Sequence, residues 1–140
     1  MNGKKLHLEI LTPDKKVVDE KVDFVSAPGP EGEFGVLPGH ADLISLLRAG
    51  EVYIESGGIK SYYAVSWGYA YVDGSSVSIL VENAEKGEDI DADRALKERQ
   101  KWETAIAGLE ADDKNEALFQ MKLERAQARM DVAARFAEKK

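Results

Sequence analysis

The stretch VSILVENAEKGEDIDADRA, residues 77–95, contains a change of period that decides the fold. Val77, Ile79 and Val81 recur at every second position, the spacing of a strand with one buried face. Past Gly87 the grammar changes. Asp91 carries the short acceptor side chain of a helix N-cap, and Asp89 and Asp93 suit the positive start of a helix. A β-rich half therefore ends near residue 86 and a helical half begins.

Working back from residue 86, short runs of period two are broken by glycine, proline or aspartate about every eight residues, the signal of an all-β sandwich. Leu6, Leu8 and Ile10 alternate with polar neighbours until Thr12-Pro13-Asp14 turns the chain. Val22, Phe24 and Ser26 follow on from Val17 and Val18. Further runs are Phe34 to Leu37, Leu43 to Leu47, Val52 to Glu55, Ser61 to Ser66 and Trp67 to Val72. Ser56-Gly57-Gly58 reads as a turn, and Asp73-Gly74 as the last hairpin turn, because glycine accepts the positive φ that a tight hairpin needs. The sequence predicts eight to ten strands in about 80 residues, packed as two sheets.

Working forward, a helix is predicted from about Ala92 to Leu109, with Ala95, Leu96, Trp102, Ile106 and Leu109 on one stripe. Gly108 and Asp112-Asp113-Lys114-Asn115 break it. A second helix runs from about Glu116 toward the end, with Phe119, Leu123, Ala126, Met130, Ala133 and Ala137 as a narrow seam. Two helices on a short polar link pack antiparallel. An alanine-rich seam buries little area, so the hairpin should lean on the sandwich or on a partner. The division is residues 1–86 as sandwich and 87–140 as hairpin, joined by a short hinge, Glu85 to Asp89.

Composition follows the same division. All four prolines, all five tyrosines and ten of the twelve glycines precede residue 86. Residues 1–85 hold 7 basic and 13 acidic side chains, net -6, and residues 86–140 hold 12 and 13, net -1. The whole chain of 140 residues carries a formal -7, which disfavours a phosphate-tracking nucleic-acid binder. No cysteine is present, which removes disulfides, thiolate metal sites and thiol nucleophiles, and two histidines leave little for a histidine metal centre. No run approaches the roughly 20 apolar residues of a membrane span, and MNGKKLHLEI lacks a signal core, so a cytoplasmic chain is expected.

A search for catalytic groups gives no assembled set. Gly29, Gly32, Gly35 and Gly39 lie in a β-rich region without the strand-glycine-helix order of a phosphate loop. Ser45 and Ser66 lack a histidine and acid in a nucleophile setting. His40 follows Pro38-Gly39 and suits a bond to a neighbouring carbonyl, while Glu31 and Glu33 read as a solvated loop. Tyr62, Tyr63, Trp67, Tyr69 and Tyr71 alternate along two runs, either as a stacking surface for a sugar or as ordinary cross-strand pairs. On the first of those readings the chain is a ligand-binding sandwich with a helical dimerisation hairpin.

The helical half holds a richer constellation. With an antiparallel link near residue 112, position i faces roughly 225 minus i, so Arg94 lies near position 131 and Lys101 near 124. Arg125 and Arg129 share a face, and four cations gather beside Glu85 and Asp91. Arginine forks bind phosphate oxygens in two-point fashion. The same cations also suit plain ion pairing with Asp89, Asp91, Glu98 and Glu124.

The segment GEFGVLPGHADLISLL, Gly32 to Leu47, resembles the epsilon subunits of F-type ATP synthases, the family called delta in mitochondria; Val77 to Ala95 is similar to that family's last strand, junction and first helix. Ser66-Trp67-Gly68 and Tyr71-Val72 depart from its usual residues. The resemblance implies a non-catalytic rotor subunit of the central stalk, which needs no cofactor, binds gamma through the sandwich and stands on the c ring. It further implies a peripheral place on the cytoplasmic face of the bacterial inner membrane, reached only through the complex. It makes Glu31 the c-ring contact, in the loop Pro30 to Glu33. It also implies a hairpin that folds down on the sandwich or extends up into the alpha/beta catalytic head, stopping ATP hydrolysis, with Lys122, Arg125, Arg129 and Arg135 meeting the beta subunits. In some members the down hairpin holds ATP as a regulatory ligand through an isoleucine-aspartate-x-x-arginine-alanine motif. That motif is intact here from Ile90 and Asp91 to Arg94 and Ala95; Glu85, Arg125 and Arg129 also match, and Lys101 stands where an arginine is usual.

Overall fold

The computed structural model describes residues 4–139. Met1, Asn2, Gly3 and Lys140, which the sequence places at the outer ends of the two modules, lie outside the described residues. Ten strands precede two helices: β1 (Leu6–Leu11), β2 (Lys16–Val22), β3 (Phe24–Gly29), β4 (Gly32–Val36), β5 (His40–Leu47), β6 (Gly50–Ser56), β7 (Ile59–Val65), β8 (Gly68–Gly74), β9 (Ser76–Val81), β10 (Ala84–Lys86), α1 (Ala92–Ala107) and α2 (Glu116–Lys139). The strands form two five-stranded sheets in the orders β2-β1-β9-β8-β5 and β10-β7-β6-β3-β4. The sandwich followed by a helical hairpin is thus the architecture that the change of period predicts.

The core between the sheets is built from the alternating positions. Leu6, Leu8, Ile10, Val25, Val52, Ile54, Val72, Val77 and Ile79 are almost wholly buried in it. Each such side chain contributes roughly 1.5–3 kcal/mol by leaving water. Within the first sheet β1 lies parallel to β9 and antiparallel to β2.

Three local details differ from the sequence reading. The run from Val17 to Ser26 is two strands in different sheets, because the chain crosses at Asp23. There the Asp23 N–H donates to the Glu55 carbonyl at 2.8 Å, and the Asp23 carboxylate accepts from the Gly57 N–H at 2.8 Å and from Lys5. The last hairpin turn falls one residue later than predicted: Asp73 pairs with Ser76, so Gly74-Ser75 forms the loop, with Gly74 at φ 54°. The stretch Glu85 to Asp89 is ordered secondary structure, β10 followed by a 3-10 turn from Gly87 to Asp89.

β10 is held where it leaves the sandwich by Ser66, the one buried polar residue among the described residues. Its N–H donates to the Asn83 carbonyl at 3.1 Å, and its Oγ accepts the Asn83 N–H at 2.8 Å. α1 then starts at the predicted cap, with Asp91 Oδ1 accepting the Arg94 N–H at 3.1 Å, and ends at Gly108. α2 returns antiparallel. The Trp102 and Phe119 rings meet at 5.1 Å and Arg99 Nη1 donates to Gln127 Oε1 at 3.2 Å, which matches the register expected from the link.

Candidate functional site

α2 has a second working face that the seam does not describe. Ala128 and Val132 are its most buried residues beside Ala126, and they face the outer side of the second sheet, against β6, β7 and the 3-10 turn. Ala137, at the end of the predicted seam, is exposed. The hairpin therefore lies docked on the sandwich. Tyr62, Ala64 and Val132 form a small buried cluster, with Ile90 and Tyr53 packed against it. Gly87 makes the approach close: a Cβ there would lie 3.2 Å from the Phe136 Cβ and 3.4 Å from Val132.

The sheet register explains which polar groups α2 meets. Glu51 on β6 and Glu85 on β10 both pair with Ala64 of β7, so all three side chains stand in one row facing the helix. Glu85 accepts from Arg129 through both carboxylate oxygens, Nε to Oε1 at 2.8 Å and Nη2 to Oε2 at 3.5 Å. Glu51 meets Arg135 at 3.5 Å, and the Arg135 guanidinium also lies over the Tyr62 ring at 5.1 Å. A third pair, Arg48 with Glu124 at 3.0 Å, closes the other end, and Lys122 lies 6.0 Å from the Trp67 ring centroid. In the next row Tyr53 donates to Glu55 at 2.6 Å; burial and that carboxylate push its hydroxyl up to about 12, so it stays neutral.

Between the two helices lies a cleft of about 140 Å³ lined by Arg94, Glu98, Trp102, Lys122, Arg125, Ala126 and Arg129. A small recess of about 20 Å³ continues from it past Arg125 and Arg129 to Glu85, Ser66 and Asn83. Among the described residues, the Arg94 and Arg125 guanidiniums make no hydrogen bond or ion pair. Glu98, the one carboxylate on the cleft wall, accepts from Trp102 Nε1 at 3.3 Å. Two open forks and the paired Arg129 around one cleft make an anion-binding arrangement.

Of the residues singled out in the sequence, Arg94, Arg125 and Arg129 thus converge, with Glu85 at the edge. Asp91 serves the α1 N-cap and Ile90 the apolar cluster. Lys101 lies outside the cleft lining, its Nζ 4.9 Å from the Trp102 ring centroid, and Lys122 takes a place on the wall instead. Glu31 is exposed at the turn between β3 and β4, where Gly32 adopts φ 127°.

The five aromatic residues do not form one stacking face. Tyr63 points into the sandwich core and Tyr62 toward α2, while Tyr69 and Tyr71 lie exposed on β8 of the other sheet. There Tyr69 faces Leu46 and Leu80, and Tyr71 faces Ile44, across neighbouring strands, giving a contiguous exposed apolar patch. His40 Nδ1 donates to the Ala41 carbonyl at 2.6 Å. The metal-type grouping among the described residues, His7, Glu9 and Asp19, already holds an ammonium: Lys16 Nζ lies 3.0 Å from Glu9 and 3.1 Å from Asp19.

The docking face has a signature of its own in the sequence. Tyr62 to Ser66 is buried without interruption, because β7 is covered on both sides; YYAV is a continuous apolar run where a half-exposed strand would alternate.

Residues 5–87 match the family model described as the beta-sandwich domain of the ATP synthase delta/epsilon chain. The chain is 43% identical over 137 residues to a protein of Geotalea uraniireducens named ATP synthase epsilon chain, covering 98% of this chain and 99% of that one. It is 47% identical over 129 residues to a protein of the same name from Nitratidesulfovibrio vulgaris, covering 92% and 96%. Among solved structures, a chain of the Euglena gracilis mitochondrial ATP synthase superposes with a TM-score of 0.78 at 25% identity, covering 96% of this chain and 86% of that one. A chain from the central stalk and c-ring structure of the Tetrahymena thermophila enzyme shares the fold, with a TM-score of 0.64 at 11% identity.

Proposed function

The chain belongs to the ATP synthase delta/epsilon family, and from that premise we propose that it is a non-catalytic rotor subunit of the central stalk whose hairpin is a nucleotide-read brake. The sandwich joins gamma to the c ring and so takes part in coupling proton transport to ATP synthesis. The exposed patch of Ile44, Leu46, Tyr69, Tyr71 and Leu80 supplies an apolar face for gamma, and Glu31 on the β3–β4 turn supplies the contact to the c ring. No helix among the described residues is long and apolar enough to cross a membrane. The chain sits peripherally, at the cytoplasmic face of the bacterial inner membrane, through its complex.

The hairpin moves between the docked form and an extended form that reaches the alpha/beta head and stops hydrolysis. Its apolar dock is small and two of its three ion pairs have a half-exposed cation, so the hold is weak and reversible. Extension frees Arg129 and Arg135 from Glu85 and Glu51, and lifts Lys122 from Trp67, leaving these cations with Arg125 for acidic surfaces of the beta subunits. ATP acts as a regulatory ligand that holds the docked form.

The observation that carries this reading is the open pair of guanidiniums, Arg94 from α1 and Arg125 from α2, facing one cleft between the two helices. A ligand that bridges them stabilises that state by its differential affinity. Calorimetric titration of the full chain with ATP, with and without magnesium, tests it. Binding in the micromolar to low millimolar range that weakens at least about tenfold in Arg94→Ala is expected, since each charge-assisted bond contributes roughly 1.5–3 kcal/mol. Absence of binding in the wild type would remove the nucleotide role and leave the coupling role in place.

A further inference from the structure

The two glutamates that flank Ala64 are held very differently. Glu85 keeps 34% of its side-chain exposure and has a two-point bond to Arg129, itself only 14% exposed. Glu51 is more deeply covered, at 11%, yet its cation Arg135 is 51% exposed and touches it once, at 3.5 Å. Glu51 also opens onto a cleft of about 810 Å³ between the β3–β4 turn, the β5–β6 turn and the last turns of α2. The charged groups that face it there are Glu31 from the first turn and Glu33 from β4, Arg48 beside it, and Asp131, Arg135 and Glu138 from α2; β7 offers Ala64 opposite. Arg48 is drawn to Glu124. One loosely bound cation therefore answers several carboxylates.

We infer that Glu51, covered by the closing helix and facing Asp131 on it, is a built-in repulsive element that opposes docking of the hairpin while ionised and yields to docking when neutralised. The inference rests on the mobile hairpin of the preceding section and adds a proton-sensitive control to it. Burial of a charge costs more than a single solvent-facing partner returns. Burial under α2 raises the proton affinity of the Glu51 carboxylate above the ordinary value, Arg135 opposes this, and Glu33 and Asp131 add to it. The docked form then binds the proton better than the extended form, so acidification toward the ordinary carboxylate range favours docking, and the gain disappears as pH rises through the raised value.

The absence of cysteine allows two introduced thiols, Asp14→Cys and Lys114→Cys, to carry distance labels on the full chain, with Val132→Asp as the released reference. Glu51→Gln should raise the docking equilibrium constant about three- to tenfold near pH 7.5, and the wild type should converge on the variant as pH falls into the ordinary carboxylate range. Equal or weaker docking in Glu51→Gln would overturn the inference and make the Arg135 pair a plain clasp. If that variant does not fold, Asp131→Asn, at an exposed site, should shift docking the same way by a smaller factor, and no shift would overturn it equally. A labelled distance that does not change in Val132→Asp would instead overturn the mobile hairpin, and this control with it. A pH response that persists unchanged in Glu51→Gln would sink the control alone.

Discussion

The sandwich and the hairpin use apolar surface at opposite scales. The two sheets enclose a continuous core from Leu6 to Val81, with aliphatic side chains from both sheets interdigitated between them. The dock of α2 on the second sheet has Tyr62, Ala64 and Val132 at its centre and three ion pairs around it. One region resists unfolding through area that cannot be surrendered piecemeal. The other rests on a small apolar centre rimmed by partly exposed ion pairs, and so has far less area to hold it.

The comparison is tested most severely in the core. Ile79→Ala leaves a cavity between the sheets and should cost about 2–5 kcal/mol of unfolding free energy in a denaturant titration; a loss below about 1 kcal/mol would mean that the sandwich is not the rigid partner. Val132→Asp places an unpaired carboxylate in the small cluster under α2. It should open the hairpin by about 2–4 kcal/mol, read as faster amide exchange along α2, while the sandwich keeps its unfolding midpoint. Coupled loss of both would join the two regions into one cooperative unit.

The smallest effect belongs to the sandwich surface. Hydrogen bonds from His7 and Lys16 hold the Asp19 carboxyl below the usual carboxylate range. Its contribution is present above pH 3.8 and fades as pH falls through the lowered value. Asp19→Asn should therefore flatten the acid limb of the stability curve slightly below that pH and change nothing near neutrality. A change near neutrality would point to a role beyond this exposed pair.

Much of this division was legible before any coordinates, and the parts that were not have physical reasons. The alternation of Val77, Ile79 and Val81 and the cap at Asp91 mark the border of the modules, because both are local signals. The convergence of Arg94, Arg125 and Arg129 followed from antiparallel register alone. The crossing at Asp23 was hidden, since a chain that changes sheet keeps its period and reveals the step only through tertiary bonds to Glu55 and Gly57. The second face of α2 was hidden for a related reason. Ala128 and Val132 sit off the seam, and alanine reads equally as packed or exposed. Lys101 missed the cleft because a long flexible cation can turn onto the neighbouring Trp102 ring.

The bonds between Ser66 and Asn83 have a mechanical meaning as well. They fasten the chain to the sandwich three residues before β10 ends, and β10 itself is paired to β7 through Lys86. Were the hairpin to rotate, the turn would have to begin beyond Lys86, where Gly87 lies against α2. That junction is therefore fixed to the same sheet that carries the β3–β4 turn. The root of the hairpin is thus tied, strand by strand through β7, β6 and β3, to the β3–β4 turn at the far edge of that sheet.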